Sequence, residues 1–226
     1  MYDKHINRRN FVMSILVEIS EFLQKGRAKN VKALVEQAIS EGISAKTILD
    51  EGLLNGMMVV GDKFKRNEVF VPEVLVAARA MNAGVSILEP LLAEAGNEPL
   101  GKAIVATVKG DLHDIGKNLV AMMFKGAGLE VIDLGVDIDA ETFVAKAEEV
   151  GADIIGMSAL LTTTMPTMKE VVDLLKEKGL RDKYIVMVGG APVNQRYADE
   201  IGADYYTSDA ASAAETAKKA LIEKKA

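Results

Sequence analysis

The stretch Val108-Lys-Gly-Asp-Leu-His-Asp-Ile-Gly-Lys117 sets Asp111 two residues before His113 and Gly116 three residues after it. Two readings of this loop stand side by side. One is a polar turn with an N-capping aspartate and a surface histidine. The other makes His113 a metal ligand oriented by Asp111, since ligating histidines usually donate their second ring nitrogen to a carboxylate. The chain holds just two histidines, His5 and His113, and no cysteine. That excludes disulfides, zinc–thiolate sites, iron–sulfur clusters and cysteine nucleophiles. A site of two or three histidines is nearly excluded with them. A lone histidine holds a bare zinc or iron ion poorly. It can serve as one axial ligand to a metal that arrives already chelated in a macrocycle. His5 stands in the terminal segment, where order is usually lost, and receives no role.

Two further loops carry unusual residues. Ser158-Ala-Leu-Leu-Thr-Thr-Thr164 has four hydroxyls in seven residues. It reads either as a helix cap with solvated threonines or as a polar wall for a ligand's tail. Gly189-Gly190-Ala-Pro-Val reads either as a tight turn or as a place where backbone approaches a ligand with no Cβ in the way.

These loops need elements to position them. From Gly101 on, short apolar runs alternate with helical stretches. Strands are expected at Ala103–Val108, Glu130–Leu134, Asp153–Met157, Tyr184–Val188 and Asp204–Tyr206, with helices at 116–127, 140–150, 164–178, 192–200 and 210–224. This rhythm predicts a parallel sheet wrapped by helices. Ligands of such sheets bind beyond the carboxyl ends of the strands, and all three loops follow strands. Residues 1–95 carry helical periodicity instead. Helices are expected at 8–24, 28–41, 44–65 and 72–94, with Ser44 as an N-cap and Pro72 in a first turn. Four helices with short connections suggest a small bundle. Ala95-Gly-Asn-Glu-Pro-Leu-Gly101 is the expected linker and hinge. The chain thus divides into 1–95, a linker at 96–101, and 102–226.

At 226 residues and 49% apolar content the chain can bury a core in each half. Its net charge of −6 argues against a nucleic-acid clamp. No apolar run approaches the roughly 18 residues that span a membrane, and no secretory signal is evident. A cytoplasmic protein with no nucleic-acid and no membrane partner is expected.

Asp111-x-His113-x-x-Gly116 is followed after 41 residues by Ser158-x-Leu160, and after 28 more by Gly189-Gly190. This constellation resembles the cobalamin-binding signature of methionine synthase and of the small corrinoid proteins of methylotrophic methyltransferase systems. Gly56-Met-Met-Val-Val-Gly-Asp-Lys-Phe64, Phe70-Val-Pro-Glu-Val-Leu75 and Ala78-Arg-Ala-Met81 look like the four-helix cap of the same family. The resemblance covers nearly the whole chain. It implies an α/β protein: a four-helix bundle cap, then a flavodoxin/Rossmann-like five-stranded parallel sheet with flanking helices.

The resemblance also implies a site. The cofactor would be cobalamin, bound with its own lower base displaced and its nucleotide tail in a slot of the α/β domain. His113 would be the lower ligand to cobalt, in a loop formed by Gly110, Asp111, Leu112, His113, Asp114, Ile115 and Gly116. Asp111 and Thr164 would stand behind the imidazole; Thr164 takes the place of a serine in methionine synthase. Gly116, Ser158, Leu160, Thr162, Gly189 and Gly190 would line the tail slot. Phe64, Val71 and Val74 would cover the methyl face; before the resemblance they are simply apolar bundle residues. The implied function is a methyl carrier cycling between Co(I) and methyl-Co(III), with no catalysis of its own. Its partners would be a substrate-specific corrinoid methyltransferase, a second methyltransferase directed to tetrahydrofolate or a thiol, and a reductive activator. A cobalamin-dependent regulator would add a helix-turn-helix, for which only about ten residues precede the first helix. A cobalamin-binding module without a methyl-shuttle role stays open as another alternative. A radical-mutase subunit would lack the cap, and a response regulator would want a carboxylate where Ser158 stands.

Overall fold

The computed structural model describes residues 14–95 and 98–225. The expected helix start at 8–13, His5, and Gly96 and Asn97 of the expected linker lie outside the described residues. The chain forms two compact units that part between Glu98 and Pro99.

In the first unit a helix α1 covers 14–24, followed by α2 (Ala28–Ser40). Of the apolar positions whose spacing predicts the two helices, Ile15, Ile19, Leu23, Val31, Val35 and Ala38 are buried, while Phe22 and Leu34 are half-buried. Gly42 ends α2 in the left-handed region, with Ile43 N–H returning to the Ala38 carbonyl at 3.0 Å. The Ser44 hydroxyl then accepts from Thr47 N–H at 3.1 Å and starts the next helical run. The single helix expected over 44–65 is in fact α3 (Ala45–Thr47), a π-helical stretch Ile48–Leu54, and α4 (Asn55–Lys65). Gly52 and Gly56 let α1 approach closely, since a Cβ on either would stand 3.1 Å from Ile19 or Ser20. After a turn at 66–70, α5 spans Val71–Glu94, with Pro72 in its first turn as expected. Its stretch Val71–Leu92 is long and apolar enough, by length and composition, to cross a membrane. Its Val74, Ala77, Ala78, Met81 and Leu88 are core residues of the chain, as in any bundle helix.

The second unit is β1 (Lys102–Val108), α6 (Ile115–Gly126), β2 (Glu130–Ile138), α7 (Ala140–Val150), β3 (Ile154–Ser158), α8 (Pro166–Glu177), β4 (Ile185–Gly189), α9 (Gln195–Ile201), β5 (Tyr205–Tyr206) and α10 (Ala210–Lys225). All five strands pair in parallel in the order β2-β1-β3-β4-β5. α6 packs beside α10, and α7 beside α8. The core gathers Ile104, Ile155 and Val186 from the strands with Phe143, Val144, Val171 and Leu175 from α7 and α8. In this strand order the chain leaves β1 toward one edge and β3 toward the other, which opens a crevice between their carboxyl ends.

Three local departures have clear causes. β2 runs four residues past Leu134, because its register against β1 slips at Leu134 and again before Ile138. α9 starts at Gln195 instead of 192, because Gly190 turns through φ 123° and the Asn194 side chain caps at Tyr197 N–H. Leu100 and Gly101, expected in the linker, belong to the α/β unit. Leu100 N–H donates to Gly128 O and Glu130 N–H donates to Gly101 O. A Cβ on Gly101 would stand 2.8 Å from Leu221.

Candidate functional site

The loop that leaves β1 is tied down at each step. Buried Thr107, near the strand's end, donates its hydroxyl to the His113 carbonyl at 2.8 Å. Gly110 turns through φ 80°, a conformation glycine tolerates best. The chain then sinks, and Asp111 is wholly buried. Its Oδ1 accepts from His113 N–H at 3.1 Å and from His113 Nδ1 at 2.7 Å. Its Oδ2 accepts from Leu160 N–H at 2.7 Å, Leu161 N–H at 3.2 Å and the Thr164 hydroxyl at 3.0 Å. Asp111 is therefore not the aspartate that stands at the N-cap of α6. Asp114 takes the cap position of α6, and Asp111 joins the loops after β1 and β3.

Burial alone would push the Asp111 carboxyl up. The hydrogen bonds from Leu160, His113 and Thr164 outweigh it and hold the carboxyl well below the usual carboxylate range. Asp111 is thus an anion, and its hydrogen bond assigns the histidine proton to Nδ1. Nε2 is left as the nitrogen with a free lone pair. The His113 side chain is 54% exposed, so Nε2 can meet a ligand.

Around it stand apolar side chains open to solvent. Leu112 and Ile115 are 71% and 72% exposed, and Leu160 and Leu161 are exposed as well. A Cβ at Gly116 would meet nothing within 4 Å, so the start of α6 faces open space. Gly189 ends β4 in register with Ser158, which pairs in turn with Thr107. Gly190 has a different reason to be glycine. A Cβ there would stand 1.8 Å from the Ala159 carbonyl oxygen, so two backbones meet at that point. Of the hydroxyls in the 158–164 loop, Thr164 turns inward to Asp111 while Thr162 is exposed. Phe64, Val71 and Val74 lie in the helical unit, on either side of the turn joining α4 to α5. Phe64 and Val71 are half-buried and Val74 is fully buried.

These residues fit a metal held in a macrocycle. Among the described residues no group of three or more His, Asp or Glu could hold a bare ion. One oriented imidazole nitrogen in an apolar, solvent-open rim suits a flat, already chelated metal. Comparison with known proteins decides the matter. Residues 101–217 match the B12 binding domain family, and residues 15–89 match a second B12 binding domain family. The chain belongs to the B12-binding corrinoid proteins.

This corrinoid protein is 50% identical to a corrinoid protein of Desulfitobacterium hafniense, over 93% of its own length and 99% of the relative's. It is 47% identical to the dimethylamine corrinoid protein of Methanosarcina barkeri, over 92% and 97%. Its structure resembles the crystal structure of the methanol:cobalamin methyltransferase complex of M. barkeri. That match has a TM-score of 0.83 at 30% identity, covering 92% of this chain and 80% of that one. A cobalamin-binding protein of D. hafniense gives 0.76 at 32% identity, covering 90% and 97%. The protein is a corrinoid protein of methyltransferase systems, and its cofactor is a corrinoid.

The sequence held no sign of several groups that build the site. Thr107 reads as one more strand residue. The Leu160 and Leu161 N–H groups are backbone and have no signature. Asp137, which bonds to Gly110 N–H at 2.7 Å, lies beyond the apolar run that marked β2.

Proposed function

We propose that this protein is a methyl carrier without catalysis of its own. It accepts a methyl group from a substrate-specific corrinoid methyltransferase and yields it to a second methyltransferase directed to tetrahydrofolate or a thiol. A reductive activator would restore cobalt that has been oxidised by accident. The corrinoid supplies the chemistry, a cobalt that cycles between nucleophilic Co(I) and methyl-Co(III). The chain's residues bind and orient. His113 offers Nε2 to the metal, and Asp111, fixed by Leu160, Leu161 and Thr164, holds the imidazole in the tautomer that can ligate. Gly110, Leu112, Asp114 and Ile115 shape the loop around His113. Gly116, Ser158, Leu160, Thr162, Gly189 and Gly190 line the slot for the nucleotide tail. Phe64, Val71 and Val74, in the helical cap domain at 1–95, would shield the methyl face of a corrinoid held by the domain at 102–226. A donor among small methylated compounds, selected by the partner, is supported by relatives named for dimethylamine and for methanol.

The observation that carries this reading is the buried, five-fold bonded Asp111 behind an exposed His113. The test begins with apo protein titrated with hydroxocobalamin. Wild type should bind one equivalent with a histidine-ligated spectrum, and His113→Ala should lose that spectrum. The reduced holoprotein should then take a methyl group from methyl iodide and pass it to a thiol when a thiol-directed corrinoid methyltransferase is added. Binding without methyl transfer would overturn the carrier role and leave a binding module or sensor.

A further inference from the structure

β2 continues past the apolar run that defines it, and its last residues reach the His113 loop. The strand bulges at Gly135, where φ is 91°, and then passes through Asp137 at φ 59°. Asp137 and Asn67 are the two non-glycine residues with positive φ among the described residues. Such a conformation costs free energy and persists where the surroundings fix it. Here they do. Asp137 Oδ1 accepts from Gly110 N–H at 2.7 Å, and Asp137 N–H donates to the Asp111 carbonyl at 3.2 Å. One residue thus holds both ends of the Gly110–Asp111 dipeptide.

The bulge that brings Asp137 there is itself anchored. Asp133 accepts from Gly135 N–H at 2.9 Å, and Lys117 of α6 places its ammonium on both Asp133 oxygens at 2.6 and 2.5 Å. Lys117 is buried while the Asp133 side chain is 40% exposed, so the pair is shielded from water on the lysine side only.

We propose that Asp137 is a positioning residue for His113, an inference that rests on His113 being the lower ligand. The Asp111 side chain is fixed by the loop after β3, while its backbone is held by the Val108 carbonyl, which accepts from Asp111 N–H at 3.1 Å, and from the other side by Asp137. An imidazole hung from a carboxylate is only as well placed as the peptide that carries the carboxylate. Asp137 therefore sets how large a fraction of the protein presents Nε2 toward the cofactor face, a case of pre-organisation by a supporting residue.

Three substitutions separate the contributions. Asp137→Asn tolerates positive φ and keeps a carbonyl acceptor, so it should preserve wild-type behaviour. Asp137→Gly keeps the backbone conformation and loses only the acceptor. Asp137→Ala loses the acceptor and adds strain. The readout is electron paramagnetic resonance of the Co(II) form of protein reconstituted with hydroxocobalamin, in which an axial nitrogen splits the cobalt lines. The ratio of histidine-bound to histidine-free cobalt should fall roughly tenfold in Asp137→Gly and stay unchanged in Asp137→Asn. A second readout needs no cofactor: amide exchange at Gly110 in the apo protein should quicken about tenfold in Asp137→Gly. Arg181→Ala is the control. Arg181 bonds Tyr184 O and Gly202 O ahead of β4 and β5, away from the strands' carboxyl ends. It should lower stability and leave the ratio alone. A wild-type ratio in Asp137→Gly, or an equal fall in Arg181→Ala, would overturn the proposal. Absence of any axial nitrogen in wild type would instead overturn His113 as the lower ligand, and the proposal with it.

Discussion

Asp111→Asn should cost the apo protein about 2.5–6 kcal/mol and turn the His113 ring into the wrong tautomer. Five donors converge on the two Asp111 carboxylate oxygens. An asparagine keeps one oxygen. If that oxygen faces the β3 loop, Leu160, Leu161 and Thr164 keep their acceptor, and the new NH2 faces His113. The imidazole can then accept at Nδ1 by moving its proton to Nε2, and only the His113 N–H is orphaned. An orphaned buried donor costs about 1–3 kcal/mol, and three bonds that lose a charged acceptor weaken by a further ~0.5–1 kcal/mol each. The opposite orientation orphans two backbone donors, Leu160 and Leu161, so the first prevails. Urea denaturation of apo protein measures the cost. Long-range 1H–15N spectra of the imidazole rings report the tautomer, and with only two histidines in the chain assignment is simple. Wild type should show the proton on Nδ1 and the variant on Nε2. The variant should lose the histidine-ligated cobalamin spectrum although His113 is intact. A variant within about 0.5 kcal/mol of wild type, with the proton still on Nδ1, would refute the reasoning.

Acid should weaken the same bonds. The Asp111 carboxyl is held below its ordinary pKa of about 3.9, so the unfolded chain binds its proton more readily than the native one. Its contribution is complete above about pH 4 and drains away below it, so the gap between wild type and Asp111→Asn should close in acid melts. Thr164→Val should lose about 1–2 kcal/mol, because the hydroxyl meets both Asp111 Oδ2 and the Leu161 carbonyl; Thr164→Ser should recover nearly all of it. Gly190→Ala forces a Cβ to 1.8 Å from Ala159 O, so it should cost more than about 4 kcal/mol or give no soluble protein. Gly116→Ala meets open space, so the apo Tm should hold while cobalamin titration shows weakened binding.

Elements marked by one continuous apolar face were legible in the sequence. The buried positions of α2, Val31, Val35 and Ala38, are those that its periodicity singles out. The π-helical stretch at Ile48–Leu54 was not, because its buried residues Ile48, Gly52 and Leu53 also suit one face of an ordinary α-helix. The end of β2 was hidden for a related reason. Gly135 and Asp137 read as loop residues, yet two bulges let a strand absorb them without losing its pairing to β1. Residue type therefore misjudged the segment where the strand stops serving the core and starts serving the loop beside it.

The site shows the same division at atomic scale. Asp111, His113 and Thr164 could be singled out because their side chains have chemistry that shows in the sequence. What makes Asp111 effective is the pair of N–H groups at Leu160 and Leu161, which any residue but proline would supply. They point at the carboxylate because β1 and β3 are neighbours, so the loop after β3 crosses the loop after β1. Gly190 belongs to the same crossing. Its missing Cβ makes room for Ala159 O, and Ala159 is the residue just before those two donors. A glycine that reads as a ligand contact thus also fixes the path of a loop whose amides hold an aspartate, whose carboxylate in turn decides which nitrogen of His113 faces outward.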